Sequence, residues 1–351
     1  MCDGVDLITN VPSPSERSMT RRRSGGSLFR EVLIASVALL ALRGPSAVAG
    51  AIVAWGADFA GQVSNVPAGT DFTAIAAGGQ TAYALRADGS IVAWGADAND
   101  LVSNVPTGTG YTALAAGDIH AFALRADGSI VAWGADNFGV ISDTPTGTGF
   151  TAIAAKSYTG YALRSDGSIV GWGWLEGVAP PSETGFTAIA VAAYSAMALR
   201  SDGSIVAWGD DSSYFVSDAP GGAGYQAVAA GSYNGYALRA DGSIIAWSAQ
   251  YDSFEQFSRT PKGAGFTAIA GGELAAYALH GNGSIRAWGY DLSEKVSGTP
   301  TGRGFKAIAA GSDNGYALKS ESFPVPEPTS YVLAGVGMIL VLWRRSHQSM
   351  P

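Results

Sequence analysis

The chain has 351 residues, of which 14% are charged, 48 are glycine and one is cysteine. Its formal net charge is −8, and residues 50–328 hold 13 basic against 25 acidic side chains, a net −12. That sign repels phosphate backbones and argues against a nucleic-acid partner. The lone Cys2 precedes every apolar pattern, which excludes disulfides and cysteine metal sites from the body of the chain.

Residues 1–18 are polar and patternless, and Met19 offers an alternative start. A basic run, Arg21-Arg22-Arg23, is followed by an 11-residue apolar stretch over 32–42 and by the small residues Ala47-Val48-Ala49. Basic segment, short apolar core and A-x-A site make a signal-peptide pattern. The stretch falls short of the roughly 20 residues that span a bilayer. A buried helix or an uncleaved anchor is the alternative. Residues 1–49 are therefore expected to be an N-terminal extension and export signal.

Residues 50–320 are an array. Tryptophans recur at positions 55, 94, 133, 172, 208, 247 and 288, with spacings of 39, 39, 39, 36, 39 and 41 residues. Such a period marks a repeat architecture. Each repeat has three short apolar words: Thr73-Ala74-Ile75-Ala76-Ala77, then Tyr83-Ala84-Leu85, then Ile91-Val92-Ala93-Trp94-Gly95. Their composition predicts strands. Asp88-Gly89 and its counterparts separate the second word from the third, a tight hairpin signal because glycine tolerates positive φ. One aspartate per turn, with no carboxylate cluster, does not make a calcium site.

Side chains grow along each repeat, from Ala through Tyr and Leu to Trp. Both faces of every word are apolar, so each strand is expected to be covered on both sides. Sheets set radially about an axis satisfy both features, because the gap between neighbours widens outwards. The fold expected is all-β, a seven-bladed propeller with blades of about three strands, its tryptophans acting as wedges. The order of words is permuted: the array opens with a lone third word and ends with a first and a second. The opening strand should thus complete the last blade, a remainder that a solenoid would have no use for.

The pattern A-A-G, four residues, A-L, a D-G turn and W-G resembles the repeats of the regulator of chromosome condensation family. It is seen in Ala76-Ala77-Gly78, Ala84-Leu85, Asp88-Gly89 and Trp94-Gly95. Gly61-Gln62 matches the family's G-Q in one repeat, and His120 takes the place of its frequent histidine. The short period leaves little room for a fourth strand. In this the chain resembles the bacterial type II β-lactamase inhibitory protein, a secreted propeller with three-stranded blades.

The last segment, 321–351, contains Val325-Pro326-Glu327-Pro328, an apolar stretch over 331–343, and Arg344-Arg345. Pro-Glu-Pro word, short span and arginine stop resemble the PEP-CTERM sorting signal. Two prolines keep the peptide extended, and the arginines favour the cytoplasmic side. The resemblance implies transient membrane residence through 331–343, cleavage near Pro328 by an exosortase-type processing enzyme, and delivery to the cell surface or an extracellular polysaccharide matrix. A plain C-terminal anchor is the alternative.

Catalytic chemistry is sparse. His120 and His280 occupy different strand positions and are not expected to converge, and His120 is expected to make a structural hydrogen bond. No phosphate loop, dinucleotide fingerprint or metal spacing occurs, so no cofactor or metal is expected, and the chain is read as a non-enzyme. Binding is the natural alternative, because loops on a rigid scaffold vary where strands do not. Phe59, Phe138, Trp174, Tyr214, Phe215, Tyr251, Phe254 and Tyr290 follow the tryptophans and are the candidate partner-binding residues. Tyr158, Tyr194 and Tyr233 lie between first and second words and are expected on a different part of the surface. The function expected is an exported scaffold docking an extracellular protein or glycan. The alternatives are an inhibitor of the β-lactamase-inhibitor type and a polysaccharide-acting propeller enzyme.

Overall fold

A computed structural model describes residues 49–175, 177–247 and 255–320. The segment opens with β1 (Ala51–Gly56). Blade 1 is β2 (Phe72–Gly78), β3 (Thr81–Arg86) and β4 (Ile91–Gly95); blade 2 is β5 (Tyr111–Ala116), β6 (His120–Arg125) and β7 (Ile130–Gly134). Blade 3 is β8 (Phe150–Lys156), β9 (Thr159–Arg164) and β10 (Ile169–Gly173); blade 4 is β11 (Phe186–Val191), β12 (Ser195–Arg200) and β13 (Ile205–Gly209). Blade 5 is β14 (Tyr225–Ala230), β15 (Gly235–Arg239) and β16 (Ile244–Trp247). Blade 6 is β17 (Phe266–Gly271), β18 (Ala275–His280) and β19 (Ile285–Gly289). Blade 7 joins β20 (Phe305–Ala310) and β21 (Asn314–Lys319) to β1, in the order β1-β21-β20.

Every sheet is antiparallel and three-stranded. The first-word strands lie innermost and touch in the circuit β2, β5, β8, β11, β14, β17, β20 and back to β2. The ring is closed. Its seven-bladed form, and its completion by the N-terminal strand, are those expected from the permuted words. In the closing blade Ala51 pairs with Lys319 and Trp55 with Gly315.

The core consists of seven clusters, each shared between adjacent blades. A middle-strand ring of one blade meets the tryptophan of the next edge to face: Tyr83 with Trp133 at 5.3 Å, Phe122 with Trp172 at 5.0 Å, Tyr236 with Trp288 at 5.7 Å. Tyr277 and Trp55 repeat the arrangement across the closure at 5.1 Å. Such pairs add about 1 kcal/mol each beyond area burial. Trp55, Trp94, Trp133, Trp172, Trp247 and Trp288 are all buried, as wedges should be.

Each indole N–H also finds a carbonyl. Trp94 donates to Gln62, Trp133 to Leu101, Trp172 to Val140, Trp208 to Val178, Trp247 to Phe215, Trp288 to Gln256 and Trp55 to Lys295, at 2.9–3.2 Å. These seven acceptors are buried plugs in the connections between blades. Among the described residues, five connections are capped by an aspartate, Asp58, Asp97, Asp136, Asp211 or Asp291, whose Oδ1 accepts the backbone N–H groups five and six residues on. The Asp-Gly turns use their aspartates likewise, with Asp88, Asp127, Asp166, Asp202 and Asp241 each accepting the serine N–H two residues later. The repeated carboxylates therefore hold backbone.

The turn face of the ring is regular. Phe72, Tyr111, Phe150, Phe186, Tyr225 and Phe305 each lie under a cation from Arg86, Arg125, Arg164, Arg200, Arg239 and Lys319, at 4.8–6.0 Å. His280 takes that place against Phe266, at 5.5 Å. Six of the 13 basic residues of the array are thus accounted for by packing on rings. Among the described residues no helix is long and apolar enough to cross a membrane. Segment 331–343, on which the transient-membrane expectation rests, lies outside the described residues.

Candidate binding face

The opposite face is where the blades differ. In six blades the residue after the tryptophan word donates its N–H to the loop residue just before the middle strand. The pairs are Ala57 to Asp313, Ala96 to Gln80, Ala135 to Ile119, Trp174 to Tyr158, Asp210 to Tyr194 and Tyr290 to Leu274, at 2.8–3.1 Å. The two residues of each pair stand side by side at the blade end. Blades 7, 1 and 2 show alanine there, whereas blades 3, 4 and 6 show Trp174, Asp210 and Tyr290. The repeat symmetry breaks on one side of the ring.

A glycine makes each junction possible. Gly173 and Gly209 have φ of +81° and +111°, and a Cβ would lie 2.4 Å from the Tyr158 carbonyl oxygen and 2.6 Å from that of Tyr194. A second bond locks the next residue, since Thr159 Oγ1 donates to the Trp174 carbonyl at 3.0 Å and Ser195 Oγ to the Asp210 carbonyl at 2.6 Å. Backbone fixed twice gives the side chains a rigid base.

Three rings stand on those junctions, and Phe138 from the connection after blade 2 joins them. Phe138 meets Tyr158 at 5.3 Å and Trp174 at 6.2 Å, and Trp174 meets Tyr194 at 5.9 Å. They remain open to solvent: Phe138 is 63% exposed, Tyr158 36% and Tyr194 46%. The aromatic crescent runs from the loop after blade 2 to the loop entering β12. At its end Trp174, Val178, Tyr194, Asp210 and Asp211 line an open cleft of about 530 Å³. The cleft opens at the short tryptophan spacing, 36 residues instead of 39. The connection after blade 3 lacks the capping aspartate of its neighbours, and Trp208 beneath it is only half-buried.

Carboxylates border the crescent. Backbone N–H groups of Ser142 and Ile141 hold the Asp136 carboxyl below the usual carboxylate range, and those of Ser217 and Val216 do so for Asp211. Both are committed to their loops. Asp210 accepts from both the backbone N–H and the hydroxyl of Ser212 on an exposed stretch, which leaves its remaining lone pairs facing solvent.

The other candidates divide. Phe59, Tyr214 and Tyr290 are exposed, but no ring contact joins Phe59 or Tyr214 to the crescent among the described residues. The structure contradicts a surface role for Phe215, which is 1% exposed and packs on Trp247 at 6.2 Å. It supplies the ring that Met197 of blade 4 lacks. Tyr251 and Phe254 lie outside the described residues, as do Val325, Pro326, Glu327, Pro328, Arg344 and Arg345. Tyr158 and Tyr194, expected on a different part of the surface, join Phe138 and Trp174 instead, because the hairpin sets position 14 before the tryptophan beside position 2 after it.

The expected hydrogen bond of His120 is also corrected. The ring is fully buried, and neither nitrogen makes a well-formed hydrogen bond, the nearest partner being a backbone group of Thr159. Burial lowers its pKa to about 4 against smaller opposing pulls from Asp118 and from the Thr159 backbone. At the equivalent site Thr81 and Thr159 donate to the carbonyls of Ala96 and Trp174. His120 is oriented over Gly117 and against Phe122. Among the described residues no three His, Cys, Asp or Glu side chains are grouped to hold a metal.

The ring has the seven-bladed fold seen in regulator of chromosome condensation propellers. The regulator of chromosome condensation (RCC1) repeat model matches residues 111–140, and the PEP-CTERM protein-sorting motif matches residues 324–346. Yeast RCC1 (Prp20), solved bound to Kap60, superimposes with a TM-score of 0.65 at 16% identity, over 88% of this chain and 97% of that one. The ectodomain of the Physcomitrella patens receptor kinase CR4 gives 0.58 at 24% identity, over 68% of each chain. The Arabidopsis thaliana ACR4 ectodomain gives 0.58 at 21%, over 71% and 89%. At these identities the likeness is one of fold. No curated protein matches the chain by sequence. The sorting motif marks the chain for export and cell-surface sorting.

Proposed function

We propose that the protein is an exported, non-enzymatic binding scaffold, held at the cell surface or released into the surrounding matrix. It engages an extracellular protein or glycan through the loop face of blades 2–4. Residues 1–49 serve export, 50–320 form the working ring, and 321–351 are handled by an exosortase-type processing enzyme. The observation that carries the reading is the aromatic crescent of exposed Phe138, Tyr158 and Tyr194 around the half-buried Trp174, with Tyr158, Trp174 and Tyr194 on doubly hydrogen-bonded junctions. Exposed, rigid aromatics cost little entropy to dock and dominate binding energy elsewhere. The committed state of the repeated aspartates supports a binding role over a hydrolytic one.

Cosedimentation of the purified protein with washed surface material of its own host tests this. The Trp174→Ala/Tyr194→Ala double variant should lower the bound fraction at least tenfold while its melting temperature stays within a few degrees. Phe59→Ala should leave binding unchanged. Equal binding by the double variant and the parent would sink the assignment.

A further inference from the structure

Resting on that reading, we infer that the crescent binds a linear, neutral polysaccharide, which lies across Tyr158, Trp174 and Tyr194 with hydroxyl groups donated to Asp210. The first argument is one of size. Stable protein interfaces bury about 800 Å² on each partner. The exposed parts of these rings amount to on the order of 300 Å², taking the usual area of an aromatic side chain. A few sugar units fill that ring area, whereas a protein partner would have to cover the surrounding loops as well.

Composition is the second argument. Protein interfaces mix aromatics with methionine and arginine. The crescent has neither, and the large exposed aliphatic residue among the described ones, Leu292, lies in the connection between blades 6 and 7. What it offers is flat apolar faces with polar tips: indole, two phenols and a carboxylate. A pyranose presents the complement, an apolar C–H face edged by hydroxyl groups. Trp174 and Tyr194 stand edge to face at 5.9 Å, with Phe138 between Tyr158 and Trp174, so the rings present a folded aromatic wall along which a chain of sugars can lie.

Charge is the third. Asp136, Asp210 and Asp211 flank the rings, and Lys156, in the same face, is already paired with Asp118 at 3.1 Å. A polyanion would meet uncompensated repulsion there. Neutral hydroxyl groups meet acceptors. The cleft of about 530 Å³ beside Trp174 is of small-ligand size, and its open shape suits a chain passing through more than a capped end.

The test uses the full chain in native gels cast with soluble neutral polymers (a β-glucan, a xyloglucan, a galactomannan) and with polygalacturonate as the anionic control. Retardation by at least one neutral polymer and none by polygalacturonate is expected. Trp174→Ala should weaken it at least tenfold, and oligosaccharide from the retarding polymer should shift the fluorescence of the parent but not of Trp174→Phe. Asp210→Asn should weaken binding less than Trp174→Ala does. Three results would overturn the inference: no retardation by any neutral polymer, retardation unaffected by Trp174→Ala, or stronger retardation by polygalacturonate. If the polymers fail while cosedimentation stays sensitive to Trp174→Ala/Tyr194→Ala and is abolished by protease treatment of the surface material, the partner is a protein. The glycan inference then falls and the scaffold reading stands.

Discussion

His120 is the side chain most at odds with its surroundings. It is buried without a well-formed hydrogen bond, and burial lowers its pKa from 6.5 to about 4 in the folded state. The unfolded chain therefore takes up a proton that the native ring refuses. Stability from this residue is full above pH 6.5 and is lost as pH falls towards 4, about 3 kcal/mol over the window. The aspartates act lower: those with depressed pKa values, such as Asp136 and Asp211, contribute stability above the usual carboxylate value that disappears only as pH falls below it. Urea denaturation at pH 5 and pH 7 separates the two groups. His120→Thr, which restores the residue of blades 1 and 3 and a hydroxyl for the Ala135 carbonyl, should remove most of the decline between these pH values. An unchanged decline would place the acid-sensitive group elsewhere.

At the scale of one blade and its connection, the tryptophan is wedge and donor together. Trp133 is buried between Tyr83 and Leu101 and bonds the Leu101 carbonyl at 3.2 Å. Trp133→Ala should cost roughly 3–5 kcal/mol, as deletion of a large buried ring does. Trp208→Ala should cost clearly less, because the shortened connection leaves its ring half-buried. Equal losses on denaturant titration would show that the opening at blade 4 carries no energetic signature. Phe215 belongs to the same scale. It reads as one more loop aromatic until its register is set beside Leu101 and Val140, where it is a plug facing the Met197 layer. Its surface placement failed because a linear reading cannot tell a ring aimed inwards from one aimed out.

For the ring as a whole, closure is the decisive contact. β1 supplies the third strand of blade 7, and Trp55 reaches Tyr277 and the Lys295 carbonyl of blade 6 and its connection. Lys295 is itself buried, with Nζ bonded to Asp313 at 2.7 Å. Deleting residues 50–56 should open the ring, exposing the layer between blades 6 and 7 and lowering the melting temperature by more than 10 °C. A permutant carrying those residues after Ser320 should recover it, since Ala51 and Lys319 are register partners. If the permutant melts as low as the deletion, the closing strand is not what the deletion removed.

The sequence by itself determined the number of blades, their three strands, the closing strand and the sorting motif. Period, word order and side-chain size are local patterns, and identical units that must each cover two apolar faces leave one closed solution. Even the short spacing before Trp208 was visible as a number. Only the tertiary structure decided that Phe138, Tyr158, Trp174 and Tyr194 form one surface. They come from two kinds of loop, 16 to 56 residues apart, and meet because antiparallel pairing sets the start of a middle strand beside the end of an outer one. Adjacency across a hairpin and between blades depends on strand register and side-chain direction, and neither is written in spacing alone.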